Sequence, residues 1–228
     1  MAAPWMRMKH AFNVFMKDTR KLVKNEFLLP SVGDPVDMVR FDTQRDCDRF
    51  QIVCDSSFGG KSTATLRLGE GSEPDTKSGV LSGYLSVAKG SNEELIRSGY
   101  VGMLTPAQFP PWDVSETPDI EVRCRTDGGC YAINVHCQLS FSSGLLYQGY
   151  VTIGADEWKT LRLPLPEFLP VLAGRVATGR WTPSLNRIIK VGVSVIGKQG
   201  PFRFELESIR ALPPPEGKTL SDYEDDDL

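Results

Sequence analysis

From Met38 to Arg210 the chain is written in short runs that alternate apolar and polar residues with a period of two, separated by turn clusters. That period puts every second side chain on one face, so each run reads as a strand with one buried face. Ile189, Val191, Val193 and Val195 alternate in this way, as do Phe202, Phe204 and Leu206. Candidate strands fall at 38–42, 50–55, 63–68, 79–87, 99–104, 119–125, 130–139, 145–153, 158–163, 188–196 and 202–210. Only 91–97 and 165–173, around Phe168, look suited to a helical turn. Roughly ten strands without long helical patterns between them predict an all-β sandwich or jelly roll. Asp127-Gly128-Gly129 is the expected turn of a hairpin between the strands on either side. With 228 residues, 40% of them hydrophobic, the chain can bury one such core as a single domain.

The flanks follow other rules. Over residues 1–27, Trp5, Met8, Phe12, Phe15, Met16, Thr19, Leu22, Val23 and Phe27 recur at helical spacing, and Arg7, Lys9, Lys17, Arg20, Lys21 and Lys24 outnumber Asp18 and Glu26. This predicts a basic amphipathic helix. Such helices lie on anionic membrane surfaces, target organelles or dock on partners, and Trp5, Met8, Phe12 and Phe15 are its candidate partner-binding anchors. Residues 28–37 read as a linker, because Pro30 and Pro35 prevent helix continuation. The sandwich is expected over 38–212. Residues 213–228 open on three prolines and end in an acidic run, the composition of a disordered tail.

Little in the chain suits catalysis. Gly60-Lys61-Ser62 resembles the end of a phosphate-binding loop, but position 55 is Asp where that loop needs glycine. Thr63 to Leu68 then alternates as a strand, where the phosphate site needs a helix. There are two histidines: His10 lies in the amphipathic segment, and His136 shares a polar strand face with Asn134 and Gln138. Neither stands near a nucleophile elbow or a second histidine at ligand spacing. The pairs Glu205/Glu207 and Asp119/Glu121 project from one strand face about 7 Å apart, the spacing of inverting glycosidases. Arg203 and Arg123 flank them, the pattern of an ordinary solvated face. Five cysteines without a C-x-x-C pair fit neither a zinc ribbon nor a disulfide framework. Strand parity places Cys124 with Ile120 and Val122, and Cys137 with Tyr131, Ile133 and Val135, as small core residues. Trp158 and Tyr131 read as core in the same way. No catalytic residue, metal site or cofactor is assigned, and a net charge of −3 gives no case for nucleic acid.

Five ordered pieces carry a family resemblance. They are Asp55-Ser56 with Gly59-Gly60 and Ser62; Ser98 to Met103, including Gly102; Thr126 to Tyr131; Glu157-Trp158-Lys159-Thr160 through Pro164 and Phe168; and Gly200 to Glu205. In this order they resemble the complex I intermediate-associated protein family. The resemblance implies a galactose-binding-like β-sandwich that is a non-enzymatic assembly factor, or chaperone, for mitochondrial respiratory complex I. It further implies residence in the matrix, peripheral to the inner membrane, with subunits of a membrane-arm intermediate and other assembly factors as partners. Asp55, Ser56, Gly59, Gly60, Ser62, Gly102 and Trp158 are then motif residues with either a structural or a binding role. The alternative is a carbohydrate-binding module, with Tyr147, Tyr150, Trp112 and Trp181 as rings and Asn134, His136 and Gln138 as polar contacts.

Overall fold

A computed structural model describes residues 33–88, 98–138, 145–172, 174–178, 181–197 and 199–223. The basic helix expected over 1–27, with Trp5, Met8, Phe12 and Phe15, lies outside the described residues, as does the helical turn expected at 91–97. Pro35 onward forms one compact unit. In chain order its elements are β1 (Val36–Arg40), α1 (Gln44–Asp48), β2 (Gln51–Cys54), β3 (Thr63–Glu70), β4 (Lys77–Leu85), β5 (Val101–Leu104), β6 (Asp119–Thr126), β7 (Cys130–Cys137), β8 (Leu145–Thr152), β9 (Lys159–Pro164), β10 (Leu169–Leu172), β11 (Arg175–Val176), β12 (Ile188–Ile196) and β13 (Gly200–Leu212).

The strands form two antiparallel sheets. One is ordered β3-β4-β13-β6-β9, with β1 pairing to the far end of β13; the other is ordered β11-β10-β8-β7-β12-β5-β2. Period-two alternation decides what lies between them. Leu81, Ile120, Val122, Phe204, Leu206 and Ile209 from the first sheet meet Met103, Ile133, Val135, Val191 and Val193 from the second in a single buried core. Burying such side chains is the main favourable contribution to folding, at roughly 25 cal/mol per Å² of apolar surface. Cys124 and Cys137 are buried in that core as parity predicts, and desolvation pushes their thiols up to about 12 and about 11.

Every candidate strand is present, with ends moved by a few residues. β1 opens at Val36, inside the segment read as linker, because Val36 and Asp37 find ladder partners in Ala211 and Arg210. The predicted hairpin at Asp127-Gly128-Gly129 is not one. β6 pairs with β13 and β9, while β7 pairs with β8 and β12, so the turn carries the chain from one sheet to the other. Turn chemistry fixes a reversal, and the core on either side decides which sheet receives the next strand. Residues 165–173 split into a 3-10 turn at Leu165–Glu167 and the strand β10. Helix α1 was not anticipated; its signal is the capping box in which Thr43 and Asp46 satisfy each other's backbone. The tail has defined turns as far as Tyr223: Arg162 holds the Pro213 carbonyl, and Asp222 accepts the Thr219 N–H at 2.6 Å.

Candidate functional site

The separated motif pieces meet in space. Asp55 begins a 3-10 turn, Asp55–Phe58, that Gly59 closes with φ of 90°. Its carboxylate is fully buried. Oδ1 accepts the Ser62 N–H at 3.0 Å; Oδ2 accepts the Ser62 hydroxyl at 3.0 Å and the Gly99 N–H at 2.5 Å. Ser62 Oγ in turn accepts the N–H of Ser86, just beyond β4, at 3.0 Å. One carboxylate therefore joins the loop before β3, the end of β4 and the entry to β5. Gly60 leaves room for it: a Cβ there would lie 2.4 Å from Asp55 Cγ. The loop leads into strand β3, so the phosphate-loop reading has no helix to stand on. Ser56 and Lys61 are exposed on its surface.

A second knot gathers the other pieces. The Asp127 N–H donates to the Arg203 carbonyl at 3.1 Å, and Asp127 Oδ2 accepts the Arg203 N–H at 2.9 Å. The Tyr131 hydroxyl donates to Asp127 Oδ1 at 2.8 Å, and its ring packs on Phe204 with centroids 4.8 Å apart. Glu205 is buried on the outer face of the first sheet, where Arg125 at 2.7 Å and Arg203 at 2.8 Å pair with it. Burial alone would raise its carboxyl, but these two guanidinium groups outweigh burial and hold it below its ordinary 4.5. Trp158 is half-buried on this outer face rather than in the core, with Arg125 5.1 Å and Arg123 6.0 Å from its ring centre. It stands one residue before β9, on the charged side of the sheet. Parity alone misplaced it.

The remaining carboxylates of the two i/i+2 pairs also have partners. Glu207 accepts the Ser72 N–H at 2.6 Å and the Thr76 hydroxyl at 3.2 Å. Asp119 is paired with Arg162 at 2.5 Å, and Glu121 lies 3.5 Å from Arg210. Among the described residues, no group of three His, Cys, Asp or Glu side chains is placed to hold a metal ion.

The outer face of the second sheet is different. By register, Tyr150, Ala132, Ser194, Gly102 and Val53 form one row across five strands, and Gln148, Asn134, Gly192, Leu104 and Gln51 form the next. Gly102 sits opposite Ser194, and a Cβ there would come 2.9 Å from the Val193 carbonyl. Gln148 donates to Asn134 Oδ1 at 2.9 Å, and Asn134 donates to Ser194 Oγ, a rail spanning three strands. Tyr150 is 42% exposed beside it. Of the other proposed sugar-contacting rings, Tyr147 is buried with its hydroxyl on the Thr182 carbonyl, and Trp112 packs on the core. Trp181 is exposed, and so is Gln138. His136 is half-buried, with Nε2 enclosed and without a hydrogen-bond partner; burial first, then the charge of Lys190, lowers its pKa below 6.5.

A family model described as complex I intermediate-associated protein 30 matches residues 39–207, nearly the whole sandwich. A Drosophila melanogaster protein named complex I intermediate-associated protein 30, mitochondrial, is 25% identical over 216 residues, covering 85% of this chain and 71% of its own. The Mus musculus protein of that name is 24% identical over 188 residues, covering 77% and 56%. The chain thus spans between 56% and 71% of the length of these two relatives. Among solved structures, a family 11 carbohydrate-binding module from Clostridium thermocellum, in complex with a mixed-linked tetrasaccharide, superposes with a TM-score of 0.56 at 16% identity. That match covers 82% of this chain and 99% of the module. An exo-β-agarase superposes with a TM-score of 0.51 at 14% identity, over 81% of this chain and 26% of the enzyme. At such identities the likeness is one of fold, a galactose-binding-like β-sandwich.

Proposed function

Because the chain belongs to the complex I intermediate-associated protein 30 family, we propose that it serves the assembly of respiratory complex I in mitochondria. It acts without turnover, holding a membrane-arm intermediate through surface contacts together with other assembly factors, in the matrix beside the inner membrane. The observation that carries this reading is the family match across residues 39–207. The internal satisfaction of Asp55 and Glu205 supports it, since their acceptor atoms are taken up by backbone and side-chain donors of the chain itself. Asp55, Ser62, Gly60 and Trp158 are assigned structural roles. Attachment is assigned to residues 5–27, with Trp5, Met8, Phe12 and Phe15 as apolar anchors, because aromatic side chains bury large areas at low entropy cost. The test is depletion followed by native-gel separation of complex I. Mature complex should fall while a membrane-arm intermediate accumulates, the full chain should restore it, and a chain lacking residues 1–27 should not. Unchanged complex I after depletion would contradict the assignment.

One observation favours a second reading. Tyr150 is an exposed ring beside the half-buried amide of Gln148; Asn134 behind them is buried, so Tyr150 and Gln148 carry the chemistry of a sugar platform. Saturable oligosaccharide binding that Tyr150→Ala abolishes would support it, and no saturable binding would remove it.

A further inference from the structure

β3 is the free edge of the first sheet, with β4 as its sole strand partner among the described residues. In an antiparallel ladder, alternate residues turn their backbone groups to opposite sides. The Leu68 N–H points away from β4, because it donates to Gln44 Oε1 at 2.9 Å. Ala64 and Leu66 share its parity and offer their N–H and C=O groups outward in the same direction. α1 supplies Gln44 and so caps the Leu68 end of the edge; among the described residues the Ala64–Leu66 end has no such cap. Natural edges are blunted by proline, bulges or charged side chains; Thr63 to Leu66 carry none of these, and the charges Lys61 and Arg67 flank that stretch. Exposed apolar rings stand close by: Phe58, 58% exposed, lies on the loop leading into β3, and Tyr84, 43% exposed, is the cross-strand partner of Thr63.

We propose that this half-edge receives an extended acidic segment of a partner polypeptide, which adds a strand to the sheet beside Ala64 and Leu66. Charge complementarity sets the chemistry. Lys61 and Arg67 are exposed on either side of the open stretch, and neither pairs with a carboxylate among the described residues. Two like charges disfavour pairing of this edge with a second copy of itself and favour Asp or Glu across from them. Side chains of the added strand alternate: those beside Thr63, Thr65 and Arg67 face water and are acidic, while those beside Ala64 and Leu66 turn toward the core and are apolar. Main-chain bonds supply affinity and the alternating side chains supply specificity. The inference deepens the partner-binding reading and rests on it.

The probe is an acetylated, amidated Val-Glu-Val-Glu-Val-Glu peptide, titrated against the full chain and followed by amide NMR. The Ala64 and Leu66 amides should shift and become protected from exchange. Ala64→Pro removes an outward N–H that the ladder does not use, and Arg67→Glu reverses the charge. Each should weaken binding by about tenfold, the worth of one or two backbone or charged bonds, with the melting temperature kept. A Val-Lys peptide of the same length should bind at least as poorly. Equal binding by the Ala64→Pro and Arg67→Glu chains, or shifts confined to other strands, would overturn the proposal. A chain that co-purifies with complex I subunits but shows no saturable peptide binding would lose the edge and keep the assembly reading. The reverse pair of results would lose that reading and keep the edge.

Discussion

Asp55 shows how one residue can make a family motif out of distant pieces. Its carboxylate accepts three donors from Ser62 and Gly99 in a buried setting, and charge-assisted bonds contribute about 1.5–3 kcal/mol each while a stranded donor costs about as much. Asp55→Asn puts an amide N–H where an acceptor is needed, so it should lower stability by about 2–4 kcal/mol, a large share of a domain's ~5–15 kcal/mol. Urea unfolding measures this, and a midpoint equal to the parent's would mean that Asp55 is held for a ligand instead. Trp158 behaves differently. A core tryptophan replaced by alanine costs about 3–5 kcal/mol; a half-exposed ring beneath two arginines should cost about 1–2 kcal/mol, mostly stacking and stem packing. A loss near the core value in the same unfolding experiment would show that the ring is buried after all.

Strands carry the titratable groups that set the acid limb. His136 on β7 has its pKa lowered, so the folded state resists a proton that the unfolded state takes up. Stability is therefore full above pH 6.5 and declines as pH falls below it. Glu205 on β13 has its pKa lowered by Arg125 and Arg203 against the effect of burial. Its contribution is present above pH 4.5 and is lost as pH falls through the folded-state value. His136→Gln should flatten the stability profile just below pH 6.5, and Glu205→Gln should flatten it below pH 4.5; a profile unchanged by either would place those groups in solvent. At this scale the sequence was most legible where alternation was clean. Ile189 to Val195 and Phe202 to Leu206 point to their strands directly, because period two has one structural meaning when one face is buried. β10 and β11 do not stand out in the sequence: Leu169-Pro170-Val171-Leu172 does not alternate, and β11, the edge strand beyond it, is two residues long with β10 as its strand partner. The Asp127 turn reads as a hairpin because local turn chemistry is silent on which sheet the next strand joins. The two knots at Asp55 and Glu205 were not legible either. Spacing along the chain cannot reveal that Gly99 closes on Asp55, 44 residues away.

The unit from Pro35 onward is a two-faced sandwich. One sheet wears ion pairs built from Arg125, Arg203 and Glu205 and from Arg162 and Asp119, and the other exposes Tyr150 beside a neutral, largely buried amide rail. No helix among the described residues is long and apolar enough to cross a membrane. The chain belongs to the complex I intermediate-associated protein 30 family and shares its fold with carbohydrate-binding modules, and the two proposed readings differ in whether protein or glycan is bound. Mass spectrometry of what co-purifies with the native chain from mitochondria decides between them most directly. The account predicts subunits of a complex I membrane-arm intermediate in stoichiometric amounts; glycans or glycoproteins in their place, with complex I subunits missing, would contradict it.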